Sequence, residues 1–265
     1  MNRLDDRVAA IVGAGQTPGE TIGNGRATAI TFAREGAALV LADRDESSLE
    51  ETADLARAEG AEVATVVADV ASDEGPERVV AAATEAFGRL DVLHNNVGIA
   101  PDDGPPHRLA DEAFDRIMDV NLRAMWRTCR AAVPALRAGD HGSIVNVSSL
   151  ASIAAAGNLT AYKLSKAGVN ALTQSLAITN AKHGVRANAI LPGFIDTPMA
   201  VDAVARAVGT ERSAVAEPRA AAVPLGRQGT AWDVANAALF LASDEAAFIT
   251  GVLLPVDGGQ AARVG

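Results

Sequence analysis

The sequence predicts an α/β fold in which helices cover both faces of a doubly wound, mostly parallel sheet of about seven strands. Short apolar runs alternate with longer amphipathic segments, and this alternation is typical of βαβ units with right-handed crossovers. The apolar runs are nearly continuous, as in strands buried on both faces. A length of 265 residues with 49% hydrophobic content suits a single domain spanning residues 1–265.

Seven apolar runs are predicted strands, and the longer segments between them are predicted helices. The strands are expected at Val8–Val12, Ala38–Ala42, Val63–Ala68, Val92–Asn95, Ser143–Val147, Arg186–Leu191 and Val252–Val256. The helices are expected at Arg26–Glu35, Ser47–Glu59, Pro76–Phe87, Asp111–Arg137, Leu159–His183 and Trp232–Ala242. Residues 192–224 break this rhythm and form the only long irregular stretch. Long loops in compact domains are usually functional, so we expect a substrate lid there.

Charge and cysteine content exclude several classes of partner. The formal net charge is −10, which argues against nucleic acid or an anionic membrane surface as the main partner. Cys129 is the only cysteine, so no intrachain disulfide is possible and a reducing compartment fits. No apolar run approaches the ~18 residues of a membrane helix, and the first one is too short for a signal peptide. We therefore expect a cytoplasmic protein with no membrane partner, and no metal site is predicted.

A glycine-rich loop follows the first predicted strand and opens the first predicted helix. Glycines at this position let the backbone approach a pyrophosphate, whose charge the helix N-terminus stabilises. Two alignments of the loop compete: Gly13, Gly15 and Gly19, or Gly13, Gly23 and Gly25. We prefer the second, because Gly23 and Gly25 adjoin the helix. Gly15 and Asn24 remain candidates for phosphate contact.

Polar residues at the ends of the next strands complete a candidate dinucleotide site. Asp43 ends the second strand, where a carboxylate accepts hydrogen bonds from ribose hydroxyls and repels a 2′-phosphate. This favours NAD over NADP, although the adjacent Arg44 could pair with that phosphate. Asp69 and Val70 follow the third strand and could flank the adenine. The fourth strand closes with Asn95, Asn96, Val97 and Gly98.

Tyr162 and Lys166 form a candidate acid/base pair. Residues four apart on a helix share one face, and an ammonium held near a phenol favours the phenolate. Such a pair could exchange protons near neutral pH. A lone Tyr-x-x-x-Lys is weak, but this tyrosine is the only one in the chain.

The ordered set of motifs resembles the short-chain dehydrogenase/reductase family, in its common single-domain, Rossmann-like subgroup. The set comprises the glycine loop, Asn95-Asn96-Val97-Gly98, Asn121, Ser149, Tyr162 with Lys166, Pro192-Gly193 with Thr197, and Gly251 with Asp257-Gly258-Gly259. The chain departs from the family pattern at three places. Val12 replaces a threonine, Val97 replaces an alanine, and nine residues instead of three separate Gly13 from Gly23.

The resemblance implies roles for individual residues. Tyr162 would be the acid/base, and Lys166 would assist it while binding the nicotinamide ribose. Ser149, rather than Ser148, would orient the substrate oxygen, and Asn121 would hold a water in a proton relay. Residues Pro192, Gly193, Ile195 and Thr197 would contact the nicotinamide carboxamide. The implied assembly is a homotetramer.

The predicted reaction is hydride transfer between a nicotinamide cofactor and a secondary alcohol or ketone. Enoyl reduction is a second possibility, but family members that catalyse it have a wider Tyr–Lys spacing. A nucleotide-binding sensor is a third, but such relatives tend to lose the tyrosine or the lysine. Residues 152–157 and the 192–224 segment should line a substrate pocket. Their small apolar side chains suggest a hydrophobic or cyclic substrate.

Overall fold

The computed structural model describes residues 2–154 and 158–263, and it confirms the predicted fold class. Its main sheet contains seven parallel strands in the order β3-β2-β1-β4-β5-β6-β9. These strands are β1 (Val8–Val12), β2 (Ala38–Asp43), β3 (Val63–Val67), β4 (Val92–Asn95), β5 (Ser143–Val147), β6 (Arg186–Pro192) and β9 (Leu253–Val256). Two short strands, β7 (Ile195–Asp196) and β8 (Gly229–Thr230), pair separately.

Helices lie between the strands at nearly the predicted positions. They are α1 (Asn24–Arg34), α2 (Glu46–Ala58), α3 (Gly75–Phe87), α4 (Asp111–Met118), α5 (Ala124–Ala138), α6 (Thr160–Asn180), α7 (Ala203–Val208), α8 (Arg212–Ala222) and α9 (Ala231–Ala242). No helix in the described part of the chain is long and apolar enough to cross a membrane.

Each face of the sheet has its own apolar core, because side chains along a strand alternate between the two faces. In β1, Ala9 and Ile11 join the cluster that contains Phe32 of α1. Val8, Ala10 and Val12 join the opposite cluster, which includes Cys129 of α5. Both clusters are rich in alanine, which lets helices pack closely on the sheet.

The strand order places a crevice at the carboxyl ends of the central strands. The chain runs outward from β1 through β2 to β3, then returns to place β4 on the other side of β1. Ligands bind at such a reversal in open α/β sheets. Val12 of β1 pairs with Asn95 of β4, which in turn pairs with Asn146 of β5, so these three strands end at one level.

Two predicted elements differ in the structure. Residues 192–224 were expected to be irregular but contain β7, α7 and α8. Glycine and proline made this segment resemble a loop, because Gly209 ends α7 with a φ of 72° and Pro218 lies inside α8. The helix predicted at Asp111–Arg137 is interrupted by a π-helical turn at Asp119–Arg123. Such turns occur frequently at functional sites, and this one carries Asn121.

Candidate active site

A cavity of about 600 Å³ lies in the crevice and collects nearly all the predicted site residues. It extends from the acidic residues that follow β2 and β3 to the start of α6. The predicted residues that line it are Gly13, Gly15, Gly23, Asn24, Gly25, Asp43, Arg44, Asp69, Val70, Val97, Gly98, Ser149, Tyr162, Lys166, Pro192, Gly193, Ile195 and Thr197.

Asn95 and Asn121 do not line the cavity. The Asn95 amide lies in the core, where it donates to Asn146 Oδ1 at 2.9 Å and to the Cys129 thiol at 3.3 Å. The neighbouring Asn96 faces the cavity instead and donates to the carbonyl oxygen of Gly13 at 3.0 Å. Successive residues of a strand point in opposite directions, so the sequence could have indicated that only one of these two asparagines faces the cavity.

The glycines of the loop form a tight cradle at the start of α1. A Cβ on Gly25 would lie 1.9 Å from the Gly13 carbonyl oxygen, so no side chain fits there. Gly13 has a φ of +81°, a conformation that favours glycine. Gly23, Asn24 and Gly25 all line the cavity, and Gly25 belongs to the first turn of α1.

The extra residues of the loop fold back over this cradle. The Gln16 side chain accepts a hydrogen bond from the Gly23 amide at 2.9 Å and closes the excursion. The backbone amide of Gln16 donates to Ser48 Oγ at 2.8 Å, which fixes the loop on α2. Gln16, Thr17 and Pro18 line the cavity but were not among the predicted site residues.

A buried arginine holds α1 and α2 together beneath the loop. Arg26 donates to Thr52 Oγ1 at 2.8 Å and to the Ser48 carbonyl at 3.0 Å. It also pairs with Glu51 at 2.9 Å. Thr52 in turn donates to the Ala14 carbonyl at 2.9 Å. The loop therefore rests on a connected polar network, which limits its freedom to rearrange.

The tip of the loop contacts the predicted lid. A Cβ on Gly19 would lie 2.7 Å from Asp202 Cγ, so Gly19 packs directly against that residue. The Glu20 amide donates to Asp202 Oδ1 at 3.1 Å. Arg206 donates to the Pro18 carbonyl at 3.0 Å. Gly19 thus belongs to a contact with the lid and not to the cradle.

Arg212 of α8 is the centre of this contact. Its guanidinium hydrogen-bonds Asp196 and lies 3.5 Å from Asp202 Oδ1 and 3.7 Å from Glu20 Oε2. Asp202 is 7% exposed and lies between the Glu20 amide and this guanidinium. We call the contacts of Pro18, Gly19 and Glu20 with Asp202, Arg206 and Arg212 the loop–lid clasp.

Asp43 supports the loop as well as facing the cavity. Its Oδ2 accepts from the Gly15 amide at 2.9 Å, and its Oδ1 accepts from the Asp45 amide at 3.1 Å. A carboxylate oxygen has two lone pairs, so further hydrogen bonds to a ligand's hydroxyl groups remain possible. Arg44 beside it is exposed.

Tyr162, Ser149 and Lys166 meet at the other end of the cavity. Burial raises the pKa of the Tyr162 hydroxyl, while a hydrogen bond with the Ser149 side chain lowers it. Lys166 Nζ lies 5.8 Å from the centre of the tyrosine ring. Burial lowers the pKa of Lys166 to about 8. Burial therefore disfavours the phenolate, and the pKa of Tyr162 lies above that of a free tyrosine. This is the opposite of the lowered pKa that the Lys166 ammonium would give by itself.

Lys166 is fixed by the ends of two strands. Its ammonium donates to the Val147 carbonyl at 2.9 Å and to the Val97 carbonyl at 3.4 Å. A Cβ on Gly98 would lie 3.0 Å from Lys166 Nζ, which explains a glycine at that position. The adjacent Ser148 donates to the Lys166 carbonyl at 3.0 Å and so braces α6.

Asn121 braces the wall of the cavity from the π-helical turn. Its Oδ1 accepts from the Ile99 amide at 2.7 Å. Its amide group donates to the Ile99 carbonyl at 2.8 Å and to Ser165 Oγ at 3.1 Å. Both N–H groups are therefore engaged, so the Asn121 side chain could hold a water only as an acceptor.

The substrate end of the cavity is mostly apolar. Its additional lining residues are Ile99, Ala100, Val120, Met199 and Ala200. Ser152 does not line this cavity, since its hydroxyl bonds the Ser149 carbonyl. The predicted pocket residues 155–157 lie outside the described residues. Arg219 donates to the Ala200 carbonyl and stacks on Phe194, so it supports the lid.

Comparisons with known proteins agree with this geometry. A family model described as enoyl-(acyl carrier protein) reductase matches residues 20–261. Levodione reductase from Leifsonia aquatica is 37% identical over 262 residues, which cover 98% of this chain and 96% of that protein. The chain belongs to the short-chain dehydrogenase/reductase family. The resemblance predicted from the sequence is confirmed.

Two further relatives of this dehydrogenase/reductase are informative. Cis-4-hydroxycyclohexanecarboxylate dehydrogenase from Sinomonas cyclohexanicum is 37% identical over 257 residues, which cover 97% of each chain. The crystal structure of carveol dehydrogenase from Mycobacterium avium in complex with NAD superposes with a TM-score of 0.91 at 32% identity, covering 99% of this chain and all of that one. The protein is an oxidoreductase of the alcohol dehydrogenase and ketone reductase type.

Proposed function

We propose that this enzyme oxidises secondary alcohols to ketones and catalyses the reverse reduction, with Tyr162 as the general acid/base and NAD as the preferred cofactor. The observation that carries the proposal is the placement of Tyr162, Ser149 and Lys166 in the same cavity as the glycine cradle. The motif spacing alone left that proximity as an expectation.

The chain's own residues provide a site that fits a dinucleotide. The cradle excludes side chains where a pyrophosphate would approach, and the N-terminus of α1 stabilises negative charge there. Asp43, Asp69 and Val70 line the cavity, and we propose that Asp43 would bind the ribose hydroxyls and that Asp69 and Val70 would flank the adenine. Pro192, Gly193, Ile195 and Thr197 would surround the nicotinamide. When bound, NAD supplies the hydride chemistry, which the side chains cannot provide.

The protein's contribution to the reaction is orientation and proton transfer. Ser149 and Tyr162 would both hydrogen-bond the substrate oxygen, and Tyr162 would take its proton during oxidation or return it during reduction. The Lys166 ammonium would favour the phenolate by its charge, whereas burial raises the pKa of Tyr162. Asn121 keeps the cavity wall at Ile99 in place, and it would also hold the water of a proton relay.

We propose a cyclic, hydrophobic alcohol or ketone as the substrate. The apolar side chains of Ile99, Ala100 and Met199 line the cavity beside Tyr162. The names of two relatives, levodione reductase and cis-4-hydroxycyclohexanecarboxylate dehydrogenase, support a substrate that contains a ring. A panel of cyclic and linear secondary alcohols with NAD, read by NADH absorbance, tests the proposal. Turnover limited to linear alcohols would refute the substrate class, and no turnover of any alcohol would refute the reaction.

Enoyl reduction is the alternative raised by the description of the family model. The three residues between Tyr162 and Lys166 disfavour it, because the resemblance associates enoyl reduction with a wider spacing. Including α,β-unsaturated thioesters and NADH in the same panel decides between the two reactions.

We also propose a cytoplasmic homotetramer. Large apolar side chains are exposed on α5 and α6, where Trp126 is 44%, Leu164 49% and Ile178 78% exposed. Burial of these side chains between subunits would remove apolar surface from water. Light scattering at micromolar concentration should give four times the 27.0 kDa mass of the chain. A monomeric mass would refute the assembly.

A further inference from the structure

An acidic side chain from a distant loop binds the beginning of the tyrosine helix. Asp103 lies in the segment between β4 and α4, 59 positions before Tyr162. Its Oδ2 accepts a hydrogen bond from the Tyr162 amide at 2.8 Å. Its Oδ1 accepts from the Ala161 amide at 3.1 Å. The catalytic helix is thus capped by a residue outside its own sequence.

The cap replaces one that the local sequence lacks. The N-cap position of α6 is Leu159, which has no side chain able to accept from the first turn. Amides at the start of a helix need an acceptor, and a carboxylate there also interacts favourably with the helix dipole. Asp103 supplies both the acceptor and the negative charge, at the backbone amides of Ala161 and Tyr162.

The loop is shaped to present this carboxylate. Asp102 adopts a left-handed conformation with a φ of 56°, one of two non-glycine residues with positive φ in the described chain. Such conformations cost free energy and persist where the surrounding structure requires them. The Gly104 amide also donates to Asp103 Oδ1 at 2.8 Å, which orients the carboxylate.

The same loop forms a wall of the active site. Ile99 and Ala100 line the cavity, and Ile99 is held by Asn121 through two hydrogen bonds. Asp103 fixes the other part of this loop on α6. The wall is therefore attached at one end to the π-helical turn and at the other to the backbone of Tyr162.

We propose that Asp103 is a positioning residue, which sets the start of α6 and so the place and ionisation of Tyr162. This inference rests on the proposed acid/base role of Tyr162. A negative charge at the N-terminus of α6 offsets the positive end of the helix dipole, so it also disfavours the phenolate. The other charged side chains on α6 near Tyr162 are Lys166, over its ring, and Lys163, whose ammonium donates to the Ala154 carbonyl.

The single tyrosine permits a direct test without cofactor or substrate. Ionisation of a tyrosine raises absorbance near 295 nm, and Tyr162 is the only one in the chain. Asp103→Asn removes the charge while keeping a carboxamide oxygen as an acceptor. We expect this variant to titrate about one unit below the wild type, the size of a unit charge at partial screening. Asp111→Asn is the matched control, since it removes an exposed acid from the first turn of α4.

Kinetics then compare loss of the whole cap with loss of the charge and one of the two acceptor oxygens, since a carboxamide keeps only one. Asp103→Ala removes both, and we expect about a tenfold lower kcat with NADH affinity unchanged by fluorescence. Asp103→Asn should recover most of that kcat and lower the pKa seen in the pH profile of alcohol oxidation. If neither variant moves the 295 nm titration and both keep kcat within twofold of Asp111→Asn, the proposal is overturned. If Asp103→Ala does not fold, the titration of Asp103→Asn alone decides it. The titration stands even if no alcohol is turned over.

Discussion

The tyrosine side of the cavity and the glycine-loop side are held by different kinds of interaction. On the tyrosine side, Asn121 and Lys166 bond backbone carbonyls and amides in positions shielded from solvent. On the glycine-loop side, the base of the loop rests on the buried Arg26 network, but its tip meets the predicted lid through the loop–lid clasp. There Arg212 lies near Asp202 and Glu20, and Glu20 is 77% exposed. Buried hydrogen bonds fix geometry, whereas exposed ion pairs are weak and screened by salt.

This difference matches what each side has to do. Proton transfer requires the tyrosine hydroxyl and the substrate oxygen within hydrogen-bond reach, so the residues around Tyr162 benefit from rigidity. A cofactor that leaves after each turnover requires a boundary that opens. The predicted lid would fit that need, because α8 has no buried residue and α7 has only Ala205. We therefore expect substitutions on the tyrosine side to lower the rate of the chemical step. Substitutions on the glycine-loop side should change the rate of cofactor release.

The largest effect is expected from Tyr162→Phe. The substitution removes only the hydroxyl, so ring packing and fold should remain while proton transfer has no donor or acceptor. General acid/base catalysis is worth about 10²–10⁴-fold, and kcat should fall by at least about that factor. NADH affinity, measured by fluorescence titration, should change little. A variant that keeps most of its kcat where chemistry limits turnover would remove the assignment.

Lys166→Ala is the companion to that experiment. Lys166 is assigned both to the phenolate and to the nicotinamide ribose, so this variant should lose cofactor affinity as well as kcat. Its ammonium also bonds the Val147 and Val97 carbonyls, and thermal unfolding should therefore be followed in parallel. Loss of kcat with unchanged cofactor affinity would restrict Lys166 to the tyrosine.

Cofactor choice should depend on Asp43. One hydrogen bond or desolvated repulsion of about 1.4–3 kcal/mol corresponds to roughly 10- to 150-fold in affinity. We expect kcat/KM to favour NAD in the wild type, and Asp43→Ala to lose most of that preference.

Asp43→Asn is the control, because it keeps an acceptor for the Gly15 amide while removing the charge. Improved use of NADP by both variants would assign the preference to charge. A loss of NAD use in the alanine variant alone would assign it to support of the loop. Better use of NADP by the wild type would mean that Arg44 dominates.

The fold and the proximity of Tyr162 to Lys166 were predictable from sequence because local patterns determine them. Apolar runs specify the strands, and the four-residue spacing places Tyr162 and Lys166 on one face of α6. The regular structure of residues 192–224 was not predicted, since Pro198, Gly209 and Pro218 in so short a stretch are typical of a loop. Neither the clasp nor the Asp103 cap has a local signature, because each joins segments far apart in the chain.

The buried core also contains a histidine, His94, that makes the free energy of unfolding depend on pH. His94 in β4 is fully buried against Phe32, and neither ring nitrogen has a hydrogen-bond partner in the described residues. Burial lowers the pKa of His94 from 6.5 to about 4. The unfolded chain then binds the proton more readily than the folded chain between these values, so stability falls as pH drops from 6.5 towards 4.

His94→Leu should remove this part of the pH dependence. Between pH 7 and pH 5 the wild type should lose about 2 kcal/mol more unfolding free energy than the variant, as linkage requires. Urea unfolding at both values measures it. His183→Leu, on an exposed histidine, should behave like the wild type. Equal pH dependence in wild type and His94→Leu would mean that His94 binds its proton equally well in the folded and the unfolded chain.

The smallest effect is expected on the clasp, and it concerns cofactor release. Arg212→Met keeps the aliphatic stem but removes the charge that joins the lid to Glu20 and Asp202. Since partly exposed ion pairs contribute about 1 kcal/mol, NADH dissociation should accelerate roughly three- to tenfold, while the pKa of Tyr162 at 295 nm stays unchanged. Stopped-flow fluorescence gives the rate.

Added salt supplies the internal check on this prediction. It should speed NADH release from the wild type more than from Arg212→Met, because screening weakens only an ion pair that is present. Arg227→Met is the matched control, since that exposed arginine pairs with Asp233 outside the clasp. Hydrogen exchange should show faster exchange in residues 197–222 of Arg212→Met than of the control. If release and exchange are the same in both variants, the lid is held by packing alone, and the two sides of the cavity do not differ in the way proposed.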